Sequence, residues 1–217
     1  MPTLISAPRP LIAATLAAAR AAEGVPGVGG LHLEGPFLAP ARRGVHPAAN
    51  LTDPTEEDIA ALTEPFPGRL LVTLAPDRVA PEIIARLVRA GVIVFAGHTD
   101  ATWAQAEAAL AAGVSGFTHL YNAMSPLTVR EPGAVGALFA HPTARAGIIA
   151  DTLHVHPAAI RAALNAIGRD RLFLVSDAMA TAASESVSFE LYGQTITLEL
   201  GRLTNEAGTL AGAHLTM

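Results

Sequence analysis

The feature of the sequence that most constrains the fold is a repeated alternation of short apolar runs with helical segments. Seven runs have the length and composition of buried strands, and most begin about 22 to 42 residues after the previous one. Alternation of this kind predicts a parallel sheet, and seven or eight units predict an α/β fold of the (β/α)8 barrel type. The predicted strands are 1–6, 27–34, 69–74, 92–96, 115–118, 145–150 and 171–175.

The segments between these strands predict the helices that would surround the sheet. Composition and apolar spacing predict helices at 10–22, 80–89, 102–112, 133–140 and 157–167. A further helix is expected to begin with Asp53 as its N-cap, Pro54 as its first residue and Glu56 as its third. The alternative fold is an open doubly wound sheet, but no G-x-G-x-x-G motif follows the first strand.

The last part of the chain departs from this pattern. From about residue 186 to 203, apolar and polar residues alternate around a turn at Tyr192 and Gly193, which predicts an exposed β-hairpin. We therefore expect residues 1–217 to form a single barrel domain with a hairpin excursion.

The composition excludes several kinds of chemistry. The sequence has no cysteine, and its 14 basic residues are all arginine, so thiolate nucleophiles, disulfides, lysine Schiff bases and lysine carbamates are excluded.

A net charge of −5 without a basic run argues against nucleic acid as a partner. No apolar run approaches the roughly 20 residues that cross a bilayer, and no secretory signal follows Met1. We therefore expect a cytoplasmic protein that acts on a small molecule.

Three possible metal ligands follow predicted strands. Glu34 ends the run LHLE, His98 ends VIVFAGH and His119 ends GFTH. Because the carboxyl ends of the strands in a barrel share one face, these side chains are expected to converge. Two imidazoles and a carboxylate suit zinc or a similar divalent ion, and they leave a position open for water. Taken singly, the alternative for each residue is a polar strand end that faces solvent.

Other polar residues at the same edge suggest a catalytic base and an anion contact. Asp151 and Asp177 also follow strands directly, and a partly desolvated Asp177 suits proton exchange with a metal-activated water; the alternative is an N-cap for the segment that follows. Arg130 lies in a long polar loop where bidentate contact to phosphate or carboxylate is feasible; the alternative is a solvated surface arginine. Of His154 and His156, one is expected to contact substrate and the other to cap the helix that follows.

Six segments, in order and over almost the whole chain, carry a family resemblance. HLEGPF together with THLYNAMSPL and REPG is very specific, whereas GHxDAT alone is not. The sequence resembles the N-acetylglucosamine-6-phosphate deacetylases of the amidohydrolase superfamily. The segments are LHLEGPFLAPARRGVH, AGHTDAT, GFTHLYNAMSPLTVREPGAVG, ADTLHVHP, LVSDAMA and GTLAGAHLTM.

The resemblance implies a metal-dependent hydrolase that removes acetate from N-acetyl-D-glucosamine 6-phosphate. It implies that Glu34, His98 and His119 hold one or two divalent ions, with zinc or iron expected. It further implies that Asp177 is the general base and acid toward a metal-activated water, and that His46 polarises the acetyl carbonyl.

The same resemblance implies a substrate site and a partner. In this family some phosphate contacts come from a neighbouring subunit, so a homodimer is implied. The positions that match substrate-contacting residues are Val45, His46, Asn122, Ala123, Arg130, Asp151, Thr152, Leu153, His154, Leu210, Ala211 and Gly212.

Members of the resembled family are considerably longer than this sequence. They begin with strands of a small β-sandwich and with a first barrel strand, and they return to the sandwich at the end. The resemblance therefore implies an incomplete barrel that lacks its first strand and the small β-sandwich domain, with reduced or no activity of the isolated chain. Three alternatives stay open: another N-acyl sugar phosphate or a cyclic amide as substrate, an inactive sugar-phosphate-binding fragment, and a metal-free sugar-phosphate isomerase barrel.

Overall fold

Seven parallel strands form the main sheet of the protein in the computed structural model, which describes residues 1–216. The strands follow one another in chain order and each is hydrogen-bonded to the next, so the sheet curls as in part of a barrel. All seven predicted strands are present, which confirms the parallel α/β prediction. They are β1 (Thr3–Ile5), β2 (Gly30–Glu34), β3 (Arg69–Leu74), β4 (Ile93–Ala96), β5 (Gly116–Phe117), β6 (Arg145–Ile148) and β7 (Leu172–Leu174).

The two ends of this sheet are open within the described residues. There β1 pairs only with β2, and β7 pairs only with β6, so a closed cylinder is not observed. The prediction that β7 is a buried strand is wrong, because Phe173 and Leu174 are 40% and 58% exposed. No described strand covers β7 on its outer edge. A cavity of about 530 Å³ lies between the two edge strands, where Ile5 of β1 and Phe173 of β7 both contribute to its wall.

Six α-helices connect the successive strands. Their buried faces pack against the sheet: Leu16, Ile59 and Ile84 from the first three helices are at most 2% exposed and belong to one continuous core. None of the helices in residues 1–216 combines the length and the apolar character needed to cross a membrane. The helices are α1 (Arg9–Ala21), α2 (Glu56–Thr63), α3 (Pro81–Arg89), α4 (Trp103–Ala111), α5 (Gly133–Ala140) and α6 (Pro157–Ile167), and two short 3-10 helices are at Pro40–Arg42 and Ala48–Asn50.

The start of α2 differs from the prediction. Thr55, not Asp53, is the N-cap: its hydroxyl oxygen accepts from the Asp58 backbone N–H at 3.2 Å, and the Asp58 carboxylate accepts from the Thr55 N–H at 2.9 Å. This reciprocal pair satisfies two backbone groups that a helix start leaves free. The carboxylate of Asp53 forms an ion pair with Arg78 instead. The helix therefore begins at Glu56.

A second, antiparallel sheet follows the main one. The predicted hairpin is present, with Tyr192 and Gly193 at its turn, but two further strands extend it to four. The expectation that it is wholly exposed is wrong, because Ile196 and Leu203 are fully buried and form a small core with Val45. Through this core the second sheet packs against the loop that follows β2. Its strands are β8 (Ser188–Leu191), β9 (Gln194–Glu199), β10 (Arg202–Asn205) and β11 (Leu210–Ala213).

Candidate active site

The predicted metal ligands and the predicted base lie at one edge of the main sheet, where the strands end. Glu34 is the last residue of β2, whereas His98 and His119 come shortly after the ends of β4 and β5. Asp177 follows β7 in the same way. Because the strands are parallel, all four residues contribute to one cavity of about 550 Å³.

The backbone turns sharply at three of these residues. His98, His119 and Asp177 have φ angles of 47°, 36° and 47°, in the left-handed region that non-glycine residues rarely occupy. Around His119, the N–H of Leu120 donates to the carbonyl of Gly147 at 2.7 Å and the N–H of Thr118 donates to the carbonyl of Ala96 at 2.9 Å, so the backbone is held on both sides of the turn. Each such conformation costs about 1–3 kcal/mol and persists only where the surrounding structure enforces it. The turns direct the side chains into the cavity.

The three predicted metal ligands meet atom to atom. Nε2 of His119 is 2.9 Å from Oε1 of Glu34 and 3.0 Å from Nε2 of His98, and the third side of this triangle is 3.2 Å. All three residues are buried, with exposures between 4% and 6%. Two ring nitrogens and a carboxylate oxygen that face one point form a donor set for a divalent cation. These residues therefore fit the metal that the sequence predicts.

The outer ring nitrogens of the two histidines differ, and only that of His98 supports the same interpretation. Nδ1 of His98 lies 2.8 Å from the carbonyl oxygen of Arg42, which can only accept, so Nδ1 carries the proton and Nε2 keeps its lone pair. Metal-ligating histidines usually have such a contact on the nitrogen that faces away from the metal. Nδ1 of His119 is buried and has no hydrogen-bond partner among the described residues.

Contacts among Glu34, His98 and His119 also shift the pKa values of Glu34 and His119. Burial alone would raise the pKa of Glu34, but hydrogen bonds from His119 and His98 hold it well below its ordinary value. Burial would lower the pKa of His119, yet its hydrogen bond with the Glu34 carboxylate raises that pKa to about 9. The protein groups by themselves therefore favour a carboxylate beside an imidazolium. A divalent cation would take the place of that proton.

Asp177 and His46 complete the inner part of the cavity. Burial raises the pKa of Asp177, and the neighbouring negative charge of Glu34 raises it further. His46 is 3% exposed, and its ring centroid is 4.4 Å from that of His98. Burial, together with the adjacent His98, lowers the pKa of His46 to about 3. His46 is therefore neutral at neutral pH, whereas Asp177 is a better proton acceptor than an exposed aspartate.

Apart from Arg130, the predicted substrate-contacting residues divide into two groups. Asp151 lies behind the cavity wall, with Oδ2 2.6 Å from Nδ1 of His154, and its other oxygen accepts from two backbone N–H groups. Thr152, Leu153 and Ala211 do not contribute to the wall either. The residues that do line the cavity are Val45, His46, Asn122, Ala123, His154, Leu210 and Gly212.

Arg130 lies apart from both groups. Its side chain is exposed, and it does not line the cavity of its own chain. Its loop also exposes two apolar side chains, Leu127 at 54% and Val129 at 100%. The structure thus does not bring Arg130 together with the other predicted residues of the same chain.

Several residues around the cavity were not predicted, among them two arginines and a serine. Arg42 and Arg202 contribute to its wall, and Ser6 contacts His46 from below the cavity surface. Arg42 acts on His98 through a backbone carbonyl, and Ser6 acts partly through its backbone N–H. Backbone atoms are the same in every residue, so the sequence held no signal for these two contacts.

Comparison with known proteins gives matches over nearly the whole chain. It is 46% identical over 193 residues to an N-acetylgalactosamine-6-phosphate deacetylase of Shewanella, a match that covers 89% of this chain and 49% of that protein. It is 39% identical to an N-acetylglucosamine-6-phosphate deacetylase of Bacillus subtilis, covering 87% and 48% respectively. No protein-family model matches the chain.

Solved structures agree with these sequence matches. The crystal structure of N-acetylglucosamine-6-phosphate deacetylase from Pasteurella multocida superposes with a TM-score of 0.94 at 34% identity, covering all of this chain and 57% of that one. A mutant of the Mycobacterium smegmatis enzyme, in complex with N-acetyl-D-glucosamine-6-phosphate, gives a TM-score of 0.90 at 34% identity, covering 99% and 57%. The chain spans about half the length of the curated relatives it matches. Over that half, the chain is a homologue of the N-acetylglucosamine- and N-acetylgalactosamine-6-phosphate deacetylases.

Proposed function

We propose that this chain forms the catalytic part of a metal-dependent hydrolase that removes acetate from N-acetyl-D-glucosamine 6-phosphate and yields D-glucosamine 6-phosphate. The observation that carries this proposal is the convergence of Glu34, His98 and His119 beside Asp177 in one cavity. Amide hydrolysis needs an activated water, a proton carrier and a group that stabilises the developing oxyanion. The cavity has a candidate for each of these needs.

In the proposed enzyme, Glu34, His98 and His119 hold a divalent cation, zinc or iron, with one or two ions per site. A cation bound there supplies Lewis-acid chemistry, which acidifies water and polarises the acetyl carbonyl. Three protein ligands leave coordination positions for water and substrate. The contact between His98 and the Arg42 carbonyl supports this role, because it keeps the lone pair of Nε2 directed at the site.

Asp177 is the proposed proton carrier. Its raised pKa suits a group that takes a proton from the attacking water and later gives it to the departing amine. His46 is the proposed hydrogen-bond donor to the acetyl oxygen, where negative charge develops. Both residues line the same cavity as the three ligands.

The outer part of the cavity is the proposed sugar-phosphate site. Asn122, Ala123 and His154 line it, and Asp151 holds the ring of His154 at 2.6 Å. Arg130 is exposed and lies outside its own cavity, so in the proposed homodimer Arg130 of one copy reaches the phosphate that the other copy binds. Binding energy from this remote phosphate would orient the amide at the reacting centre.

The main sheet is, in this proposal, part of a (β/α)8 barrel. Seven strands in chain order and the high TM-scores to solved relatives support it. The cavity between β1 and β7 is then interior space of the barrel. Residues 1–217 would thus be a partial barrel domain whose second sheet packs at the mouth of the active site.

A second candidate substrate is N-acetylgalactosamine 6-phosphate. The Shewanella relative, which is 46% identical to this chain, carries that name. The two sugars differ only in the orientation of one ring hydroxyl, so the metal site and the proton carrier would be unchanged. Only contacts in the outer part of the cavity would distinguish them.

The test is an assay of acetate release beside metal analysis. We expect near-stoichiometric zinc or iron in the purified protein, assayed both as the 217-residue chain and within any longer reading frame that contains it. Release from the two N-acetylhexosamine 6-phosphates, compared with their unphosphorylated forms, identifies the substrate. A protein without bound metal that binds the sugar phosphates and releases no acetate would support a binding fragment instead.

A further inference from the structure

Three histidines of the cavity differ in the partner of their outer ring nitrogen. Nδ1 of His98 faces the carbonyl oxygen of Arg42, and Nδ1 of His154 faces the Asp151 carboxylate. Nδ1 of His46 instead accepts from the backbone N–H of Ser6 at 3.2 Å, and the Ser6 hydroxyl lies 2.9 Å from the same nitrogen.

These partners decide which atom each ring presents to the cavity. A carbonyl oxygen only accepts, so Nδ1 of His98 carries a proton and Nε2 has a lone pair. A backbone N–H only donates, so Nδ1 of His46 must have the lone pair, and a neutral ring then carries its proton on Nε2. Two neighbouring rings with centroids 4.4 Å apart therefore present opposite hydrogen-bonding character.

We propose that the backbone N–H of Ser6 fixes His46 in the Nε2–H form, so that His46 donates a hydrogen bond into the cavity and cannot be a metal ligand. The identity of the acceptor as the acetyl oxygen rests on the proposed function. The tautomer of His46 does not depend on that function.

The surroundings hold this pair in place. Ser6 and His46 are 1% and 3% exposed, so water does not compete for the contact. Ser6 directly follows β1, and its carbonyl accepts from the side-chain amide of Asn50 at 3.0 Å. On the other side, the guanidinium of Arg43 donates to the carbonyl of His46 at 3.0 Å. No described residue forms a hydrogen bond with Nε2 of His46, which leaves that donor for a ligand.

The inference explains why a fourth histidine lies beside the metal ligands without joining them. From its position alone, His46 could be a further ligand, because it contacts His98 and lines the same cavity. A ring nitrogen that carries a proton cannot coordinate a cation. His46 is therefore assigned to the substrate oxygen, and the metal set stays at three protein residues.

The direct test is nuclear magnetic resonance of the metal-free protein. Long-range proton–nitrogen correlation spectra distinguish the two neutral tautomers of each histidine ring, and the signals that vanish in His46→Gln belong to His46. We expect the Nε2–H pattern for His46 in the wild type and in Ser6→Ala, which keeps the backbone N–H. An Nδ1–H pattern or averaging between tautomers in the wild type would overturn the assignment. This readout is independent of any activity.

Metal content and kinetics provide the second test. Gln can place an amide N–H near the position of Nε2, whereas the shorter Asn cannot. We expect both His46→Gln and His46→Asn to keep the wild-type metal-to-protein ratio. We expect kcat to fall about tenfold in His46→Gln and about 100- to 1,000-fold in His46→Asn, with KM little changed. Loss of metal from His46→Gln to the extent seen in His119→Gln would contradict the proposal. If neither the chain nor a longer reading frame that contains it releases acetate, the proposed function fails while the tautomer remains testable.

Discussion

The two ends of the cavity are built differently. At the inner end, Glu34, His98 and His119 are 4% to 6% exposed and are fixed where β2, β4 and β5 end. At the outer end, His154 lies on a loop, and Arg130 lies on another loop that is outside the cavity of its own chain. Under the proposed function, the chemistry would depend on the sheet and recognition of the sugar phosphate on loops. Substitutions at the two ends of the cavity should therefore have different effects on activity.

The largest effect is expected at the inner end. In Glu34→Gln, the carboxylate that contacts both histidines loses its charge, so we expect loss of bound metal and a fall of at least about 1,000-fold in kcat/KM. Metal analysis and an acetate-release assay measure the two effects. Glu107→Gln, an exposed position on α4, is the matched control and should keep both. Full metal occupancy in Glu34→Gln would remove Glu34 from the ligand set.

Asp177→Asn should separate metal binding from proton transfer. The amide cannot accept the proton, so we expect kcat to fall about 100- to 10,000-fold while the metal stays bound. Comparing single-turnover rates with metal content checks this. If the variant loses its metal together with its activity, Asp177 is a ligand and the inner end contains four protein donors.

Arg130→Ala should affect only the outer end. Loss of a bidentate phosphate contact is expected to raise KM for the phosphorylated sugar about 10- to 100-fold and to leave the unphosphorylated sugar unaffected. Arg169→Ala, another exposed arginine, serves as the control. Mixing Arg130→Ala with Asp177→Asn should restore partial activity in mixed dimers, if Arg130 acts on the other copy. An equal effect on both sugars would show that Arg130 has no role at the phosphate.

The smallest effect is expected in the stability of the metal-free protein against pH. The folded-state pKa of His119 is raised to about 9, above the ordinary value of 6.5. The stability that protonated His119 contributes is therefore complete below about pH 6.5 and is lost as pH rises through about 9. We expect the Tm of the metal-free protein to fall by a few degrees over this window. Metal affinity should rise over the same window, since cation and proton compete. His119→Asn should abolish both trends, and a pH-independent Tm in the wild type would contradict the assigned pKa.

The sequence predicted the parallel sheet well because apolar runs and helical spacing carry the information directly. The prediction of the start of α2 was wrong, because two neighbouring residues are both suited to be its N-cap. Asp53 and Thr55 are both residue types that cap helices well. Arg78, which is distant in sequence, forms an ion pair with Asp53, and Thr55 is the residue that caps the helix. The strands β10 and β11 contain too few alternating apolar residues to be recognised in the sequence. Each is instead defined by its pairing with a neighbouring strand: β10 with β9, and β11 with β10.

The site was predictable to the extent that chemistry resides in side chains at strand ends. Glu34, His98 and His119 could be found because their positions follow from the strands themselves. The contacts from Ser6 and from the Arg42 carbonyl could not, because they arise from backbone geometry that only the folded chain creates. The orientation of the loop that contains Arg130 could not be predicted either, because no periodic pattern in the sequence determines how a polar loop is positioned.

The left-handed turns at His98, His119 and Asp177 have a consequence for engineering. Glycine at any of the three would relax the main chain, and asparagine tolerates the same geometry better than histidine does. The same replacements at His98 or His119 would remove a side chain that holds the proposed cation, and with it the stabilisation that a bound ligand gives. Relief of backbone strain and loss of the cation act in opposite directions, so a stabilisation screen must also measure turnover.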